Sequence, residues 1–188
     1  MIDFTVETKR LYIRKATSDN NHIDFFYNLW TNPRVMINVG FPNGLIISRN
    51  DIKKILELQP ETEYNALLIV VLKETGELIG ESKLGSPDKD GIATTDIKLL
   101  SKFWGKKYGV EIKQTLVDYL FENTDCTYIK ATPNRNNIAS QRMQESVGGV
   151  KVGEGLYRFP EKMRGYTIDI PYFEYRIYRG DWKRQKTK

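Results

Sequence analysis

Apolar and polar residues alternate from Arg10 to Arg14 (Arg-Leu-Tyr-Ile-Arg), which is the period of a half-buried β-strand. The pattern then changes. Ile23, Phe26, Tyr27 and Trp30 recur at i, i+3, i+4 and i+7, one face of a helix that Asn32-Pro33 stops, because a residue before proline avoids helical backbone angles. Ser48 is a good N-cap with Asp51 three residues on, and Ile52, Ile55 and Leu56 share a face, so a second helix is predicted to end near Gln59-Pro60. Ala66–Leu72 is a short apolar run rich in β-branched residues, and Glu74-Thr75-Gly76-Glu77 turns it into Leu78–Leu84, which predicts a hairpin. Gly85–Gly91 is loop by composition and Ile92–Leu100 a further strand. A long helix follows over about 107–122, with Tyr108, Ile112, Leu116, Tyr119 and Leu120 on one face. Thr127–Ala131 reads as strand, closed by Pro133, and 137–147 as a short helix ended by Gly148-Gly149. Val150–Phe159 and Tyr172–Tyr178 read as the last strands, around a loop holding Pro160, Gly165 and Pro171.

Strands interleaved with four helices leave two fold classes open, α/β and α+β, and 188 residues suit one domain. That domain is expected over 1–182, with 183–188 (Lys-Arg-Gln-Lys-Thr-Lys) a basic tail without structure. Hydrophobic residues at 40% and charged residues at 28% fit a soluble globular chain. The formal net charge of +5 suits an anionic ligand. A single cysteine, Cys126, excludes a disulfide framework and a Cys-rich zinc site, and it reads as a small buried hydrophobe. The single histidine, His22, argues against His-based metal clusters and reads as a polar surface residue at a helix start, so no metal is expected. No apolar run reaches the roughly 18 residues of a membrane span. The start Met1-Ile2-Asp3-Phe4 lacks a signal-peptide pattern, so a cytoplasmic protein is expected.

Candidate chemistry concentrates between the strand ending at Leu99-Leu100 and the long helix: Ser101-Lys102-Phe103-Trp104-Gly105-Lys106-Lys107-Tyr108-Gly109-Val110-Glu111. A helix start presents unpaired N–H groups and the positive end of the helix dipole, which together attract phosphate. Gly105 and Gly109 permit close approach, and Lys102, Lys106 and Lys107 add positive charge opposed only by Glu111. The spacing is neither a Walker A loop nor a dinucleotide fingerprint. A solvated basic helix end is the plain structural alternative.

Trp104-Gly105-Lys106-Lys107-Tyr108-Gly109 resembles the acyl-CoA pyrophosphate loop of the GNAT N-acetyltransferases. Asn137-Ile138-Ala139-Ser140, with its short helix and Gly148-Gly149, is similar to that family's Asn-x-x-Ser motif. The opening Thr8–Arg14, the segment Asn32–Met36 and the late Glu174–Tyr178 resemble the branch that acetylates ribosomal-protein N-terminal alanines. The resemblance implies an α+β fold: a mixed, mostly antiparallel sheet flanked by about four helices and splayed at the acyl-CoA site. It also implies acetyl-CoA as cosubstrate, with its pyrophosphate on the N–H groups of Gly105, Lys106, Lys107, Tyr108, Gly109 and Val110 beside Trp104. The backbone at Leu99 and Leu100 would hold the pantetheine arm and polarise the thioester. Asn137 would bond the same arm or serve only as an N-cap. Lys107 departs from the family's central glycine. With an ordinary helical backbone it would still aim its N–H at a phosphate.

Direct acetyl transfer needs a base for the ammonium, a stabiliser for the developing oxyanion and a proton for the thiolate. The family's general-acid tyrosine is Gln144 here, which leaves Ser140 as candidate acid. Glu81 and Asp96 are the candidate bases, each readable instead as a strand carboxylate facing solvent. Phe25, Phe26, Tyr27 and Trp30 read chiefly as core, although in the family the first helices and the loop from Pro160 to Pro171 wall the acceptor side. The expectation is an N-acetyltransferase acting on a small-molecule or peptide amine, as a monomer or homodimer without membrane attachment. The alternatives are a non-catalytic acyl-CoA-binding relative and, more remotely, a nucleic-acid binder using Lys183, Arg184, Lys186 and Lys188.

Overall fold

The seven expected strands and one unexpected strand at Thr5–Glu7 join into one eight-stranded sheet in the computed structural model, which describes residues 4–187. Met1, Ile2 and Asp3 of the opening segment, and Lys188 of the basic tail, lie outside the described residues. In chain order the strands are β1 (Thr5–Glu7), β2 (Leu11–Lys15), β3 (Leu67–Leu72), β4 (Leu78–Leu84), β5 (Ile92–Leu99), β6 (Tyr128–Ala131), β7 (Val150–Tyr157) and β8 (Ile170–Tyr178). Across the sheet they run β1-β2-β3-β4-β5-β6-β8-β7, and all neighbours are antiparallel except β5 and β6. The helices are α1 (Asn20–Trp30), α2 (Pro33–Met36), α3 (Arg49–Glu57), α4 (Tyr108–Asn123), α5 (Ile138–Ser146) and α6 (Arg179–Lys186). The four expected helices are α1, α3, α4 and α5, to which the structure adds the single turn α2 and the terminal α6. No helix among the described residues is long and apolar enough to cross a membrane.

The apolar run of β3 is continuous because both of its faces are covered. Leu68, Val70 and Leu72 meet Leu11 and Ile13 of β2 and Ile112, Leu116 and Leu120 of α4 on one side. Ile69 and Val71 meet Phe26, Leu29 and Trp30 of α1 and Ile52 and Leu56 of α3 on the other. Phe25, Phe26 and Trp30 are therefore core residues, as their spacing suggests, and Cys126 is fully buried. Local signals hold these helices in place. Ser48 and Asp51 form a reciprocal capping box at α3, and Asp19 caps α1 by accepting the His22 N–H at 2.9 Å.

Two irregularities shape the functional end. Val70 pairs with Gly80 and Val71 with Leu78, so Ile79 is an extra residue in β4. This bulge sends Ile79 into the α4 side of the core, while Glu81, opposite Ile69, faces α1. The second is the brevity of the parallel pairing. β5 and β6 are in register only at Ile92–Tyr128, Ala93–Ile129 and Thr94–Lys130. Beyond Thr94 they part, so the sheet opens beside residues 95–99.

Two expectations are corrected. His22 is buried, because its Nδ1 accepts the Thr17 N–H at 3.0 Å and burial pushes its pKa down despite nearby Asp19. The basic tail is helical to Lys186 instead of unstructured. Trp182 of α6 stacks on Phe121 with centroids 5.3 Å apart and donates to Asp118 at 2.6 Å, and Lys186 reaches Glu122 at 2.8 Å. These carboxylates offset part of the charge on which a nucleic-acid reading depends.

Candidate active site

β5 delivers the chain to α4 through a 3-10 turn at Ser101–Phe103 and the segment 104–107. Gly105 has φ +74° and Lys107 φ +63°, both left-handed. The condition of an ordinary helical backbone at Lys107 is not met: it is the N-cap of α4, in a conformation that costs a residue with a Cβ on the order of 1 kcal/mol. The first hydrogen bond of α4 runs from the Glu111 N–H to the Lys107 carbonyl at 3.2 Å. Among the described residues, the six N–H groups of residues 105 to 110 donate to no protein acceptor. Alternating left-handed residues ahead of a helix turn successive N–H groups toward one concavity, the arrangement that binds phosphate.

The surroundings preserve its positive character. Glu111, the one acid in the first turn of α4, accepts from Thr8 Oγ1 (2.5 Å), Arg10 N (3.0 Å) and Arg10 Nε (2.6 Å). Burial alone would raise its pKa, but those donors and the Arg10 charge hold it below the usual carboxylate value. Arg10 also stacks on Tyr108 at 4.3 Å and donates to the Lys106 carbonyl. Lys106 and Lys107 are exposed, whereas Lys102 is paired with Glu77 and so contributes less than its position suggests. A diphosphate-bearing cosubstrate such as acetyl-CoA fits this donor set: unbonded N–H groups at a helix start, with two free lysines.

Trp104 folds back, its Nε1 donating to the Leu99 carbonyl at 2.8 Å and fixing that peptide at the sheet opening. Leu100 has its N–H on the Ile79 carbonyl (3.0 Å), so it has no free donor to offer a ligand. α5 crosses the first turn of α4 at Gly109, where a Cβ would stand 3.1 Å from Met143 Sδ. Asn137 caps α5 by accepting the Ser140 N–H at 3.1 Å, which leaves its NH2 group available. The half-buried Ser140 hydroxyl bonds nothing among the described residues. Gln144 is buried and its Oε1 has no partner.

On the α1 side of the opening, Glu81 and Asp96 are brought together by Lys98. Glu81 is buried with both oxygens engaged, Oε2 by Trp30 Nε1 (2.8 Å) and Oε1 by Lys98 Nζ (2.7 Å). It is not a strand carboxylate facing solvent. Asp96 pairs with the same Lys98, yet 53% of its side chain remains open to water. Desolvation by the surrounding protein pushes the Asp96 pKa up, but Lys98, the Ile97 N–H (3.0 Å) and Lys83 outweigh it and hold the group below its ordinary value. Lys98, between two carboxylates, is raised despite its own desolvation. Behind the sheet, Lys113 of α4 is fully buried on Thr95 Oγ1 at 2.5 Å, and desolvation pulls its pKa down to about 7 against the charge of Asp96.

The late loop meets the segment after α2. The Ile168 N–H donates to the Gly40 carbonyl (2.9 Å), and Phe41 lies 5.5 Å from Phe159 and 5.4 Å from Tyr166 by ring centroids. Gly40 has φ +99°, and a Cβ there would stand 2.3 Å from the Phe159 ring, so only glycine fits. The sequence pattern marks Trp30 chiefly as core, and nothing in it singles out Lys98 or Lys113. The Glu81–Lys98 pairing depends on strand register, and no local pattern encodes it.

Residues 10–150 match the acetyltransferase (GNAT) domain family. An "uncharacterized N-acetyltransferase p20" from Bacillus licheniformis is 31% identical over 172 residues, covering 90% of this chain and 94% of its own. Among solved structures, a spermidine N-acetyltransferase from Vibrio cholerae in complex with CoA and spermine has a similar fold (TM-score 0.75, 17% identity, 94% of this chain and 99% of that one). So does a ribosomal-protein-S5-alanine acetyltransferase from Vibrio fischeri (TM-score 0.74, 19% identity, 96% of this chain and 99% of that one).

Proposed function

The chain belongs to the GNAT acetyltransferase family, and on that premise we propose that it moves an acetyl group from acetyl-CoA to a cationic primary amine by direct attack. The acceptor class is a protein N-terminus or a small amine. The observation that carries this reading is two oppositely charged sites at one end of β5. Six unbonded N–H groups lie past Leu99, and a cluster of two carboxylates and one ammonium surrounds Asp96. The first suits an anionic donor and the second an incoming ammonium.

Acetyl-CoA supplies an acyl carbon already activated as a thioester. The protein's part is positioning and charge. The N–H groups of residues 105–110 hold the pyrophosphate, and the Asn137 side-chain amide donates to the pantetheine arm. The Leu99 N–H donates to the thioester oxygen as negative charge develops there, while Trp104 occupies the Leu99 carbonyl. Asp96 stays ionised across the neutral range, attracts the ammonium and passes its proton to water. The neutral amine then bonds to the acyl carbon as the C–S bond breaks. Ser140, whose hydroxyl has no competing partner among the described residues, relays to the departing thiolate the proton that the attacking nitrogen gives up as the amide forms, in place of the absent tyrosine, and ends as a hydroxyl again.

Thiol release from acetyl-CoA, measured with Ala-initiated peptides, spermidine and aminoglycosides, tests the reading. Release with at least one amine, and its loss in Asp96→Asn, is expected. Saturable CoA binding with no turnover on any amine would instead favour a non-catalytic acyl-CoA binder. The observation on that side is Gln144, which is buried where the family places its acid.

A further inference from the structure

Glu81, Lys98 and Asp96 form one chain of contacts with Trp30 at its inner end. Trp30 Nε1 donates to Glu81 Oε2 at 2.8 Å, Lys98 Nζ donates to Glu81 Oε1 at 2.7 Å, and Lys98 also bonds Asp96. Exposure rises along it: the side chains are 5% open at Glu81, 14% at Lys98 and 53% at Asp96. Register explains the alignment. Glu81 faces Lys98 across the β4–β5 ladder and Lys83 faces Asp96, so all four share the α1 face of the sheet. With a donor already on each oxygen and only 5% of its side chain open to solvent, Glu81 is poorly placed to take a proton from an incoming amine.

We propose that Glu81 and Lys98 are positioning residues for Asp96: the Trp30-anchored Glu81 carboxylate pins the Lys98 ammonium, and Lys98 in turn fixes where the Asp96 carboxylate stands at the sheet opening. The inference rests on the role given to Asp96 above. A lysine side chain alone loses about 2 kcal/mol of rotamer freedom when held in place, and a surface pair rarely offsets that cost. A buried carboxylate behind the lysine does, because releasing Lys98 would leave Glu81 charged and unpaired. The cluster carries a net single negative charge, whose open end is Asp96. Lys83 on β4 also faces Asp96 on this side of the sheet, whereas Lys113 from α4 lies on the opposite face, bonded to Thr95, and Lys130 on β6 is committed to Glu174 at 3.2 Å.

The test follows the Asp96 carboxyl carbon by NMR in aspartate-labelled full-length protein, with Asp96→Asn identifying the resonance. In the wild type it titrates below an ordinary aspartate. In Lys98→Met the midpoint rises by about 1–3 pH units, as for a carboxylate that loses an adjacent cation, and Lys98→Arg restores it. Because Lys98→Met strands a buried charge, Glu81→Gln/Lys98→Met serves as the variant without one, and the same rise is expected. Glu81→Gln alone, which keeps an acceptor for Lys98, lowers kcat by less than about tenfold, against the 10²-fold or more expected on removing a base. An unmoved midpoint in both Lys98 variants, or a 10²-fold loss in Glu81→Gln, overturns the inference even if Asp96→Asn is inactive. Wild-type turnover in Asp96→Asn is a different failure, which removes the reading of Asp96 itself and the inference with it.

Discussion

Lys107 shows how much one backbone angle decides. Its left-handed φ of +63° is a conformation glycine adopts without strain, as the related loop pattern has there, and the concavity is formed by N–H groups that a lysine backbone also carries. Lys107→Gly should raise stability by about 1 kcal/mol through relief of that conformation. Urea denaturation measures it, and a loss of stability would show that the lysine side chain holds the loop. Lys113 carries a larger cost. Its folded pKa of about 7 lies below its unfolded value near 10.5, so between these values the unfolded chain binds more protons and stability rises with pH. Below about pH 7 both states are protonated and the full cost of burying the ammonium remains. Lys113→Met should therefore stabilise the protein by roughly 2–5 kcal/mol at pH 6, with a gain that shrinks toward pH 10. A gain independent of pH would place its origin in packing instead of charge.

At the scale of elements, α5 tests what a cap does beyond capping. Asn137 accepts the Ser140 N–H, a bond that aspartate can make equally well, but aspartate lacks the NH2 donor. Asn137→Ala should cost about 1 kcal/mol of stability. Asn137→Asp should keep that stability and weaken CoA binding about tenfold, the worth of one hydrogen bond. Calorimetric titration with CoA separates the two, and undiminished affinity in Asn137→Asp would reduce Asn137 to a cap. Most elements were legible because their periods are local: the α1 face, the Ser48–Asp51 box and the β3–β4 hairpin all appear where the pattern puts them. The exceptions have physical reasons. α6 reads as a charged tail because no apolar face marks it, and what holds it are contacts distant in sequence: Trp182 packed on α4, Lys186 on Glu122 and Arg179 on the carbonyls of Phe121, Thr124 and Cys126.

For the whole molecule, the C-terminal helix is thus part of the domain. Ending the chain at Gly180 removes the contacts of Trp182 with Phe121 and Asp118 and should cost on the order of 2–4 kcal/mol. Thermal unfolding of the truncated chain checks this, and an unchanged midpoint would return the segment to the status of a tail. The sequence by itself determined most of the run of strands and helices, the scarcity of imidazole and thiol groups, and the glycine-flanked, lysine-rich start of α4, because each depends on neighbours in the chain. It did not determine which carboxylates meet. Glu81, Asp96 and Lys98 are separate strand residues until the Ile79 bulge and the β4–β5 register turn them to one face, and Trp30 reaches Glu81 from 51 residues away. The opening between β5 and β6 is likewise a property of pairing that ends after three residues, where two strands cease to share hydrogen bonds. Periodicity records which side of an element is buried, whereas only the packed sheet decides which buried charges touch.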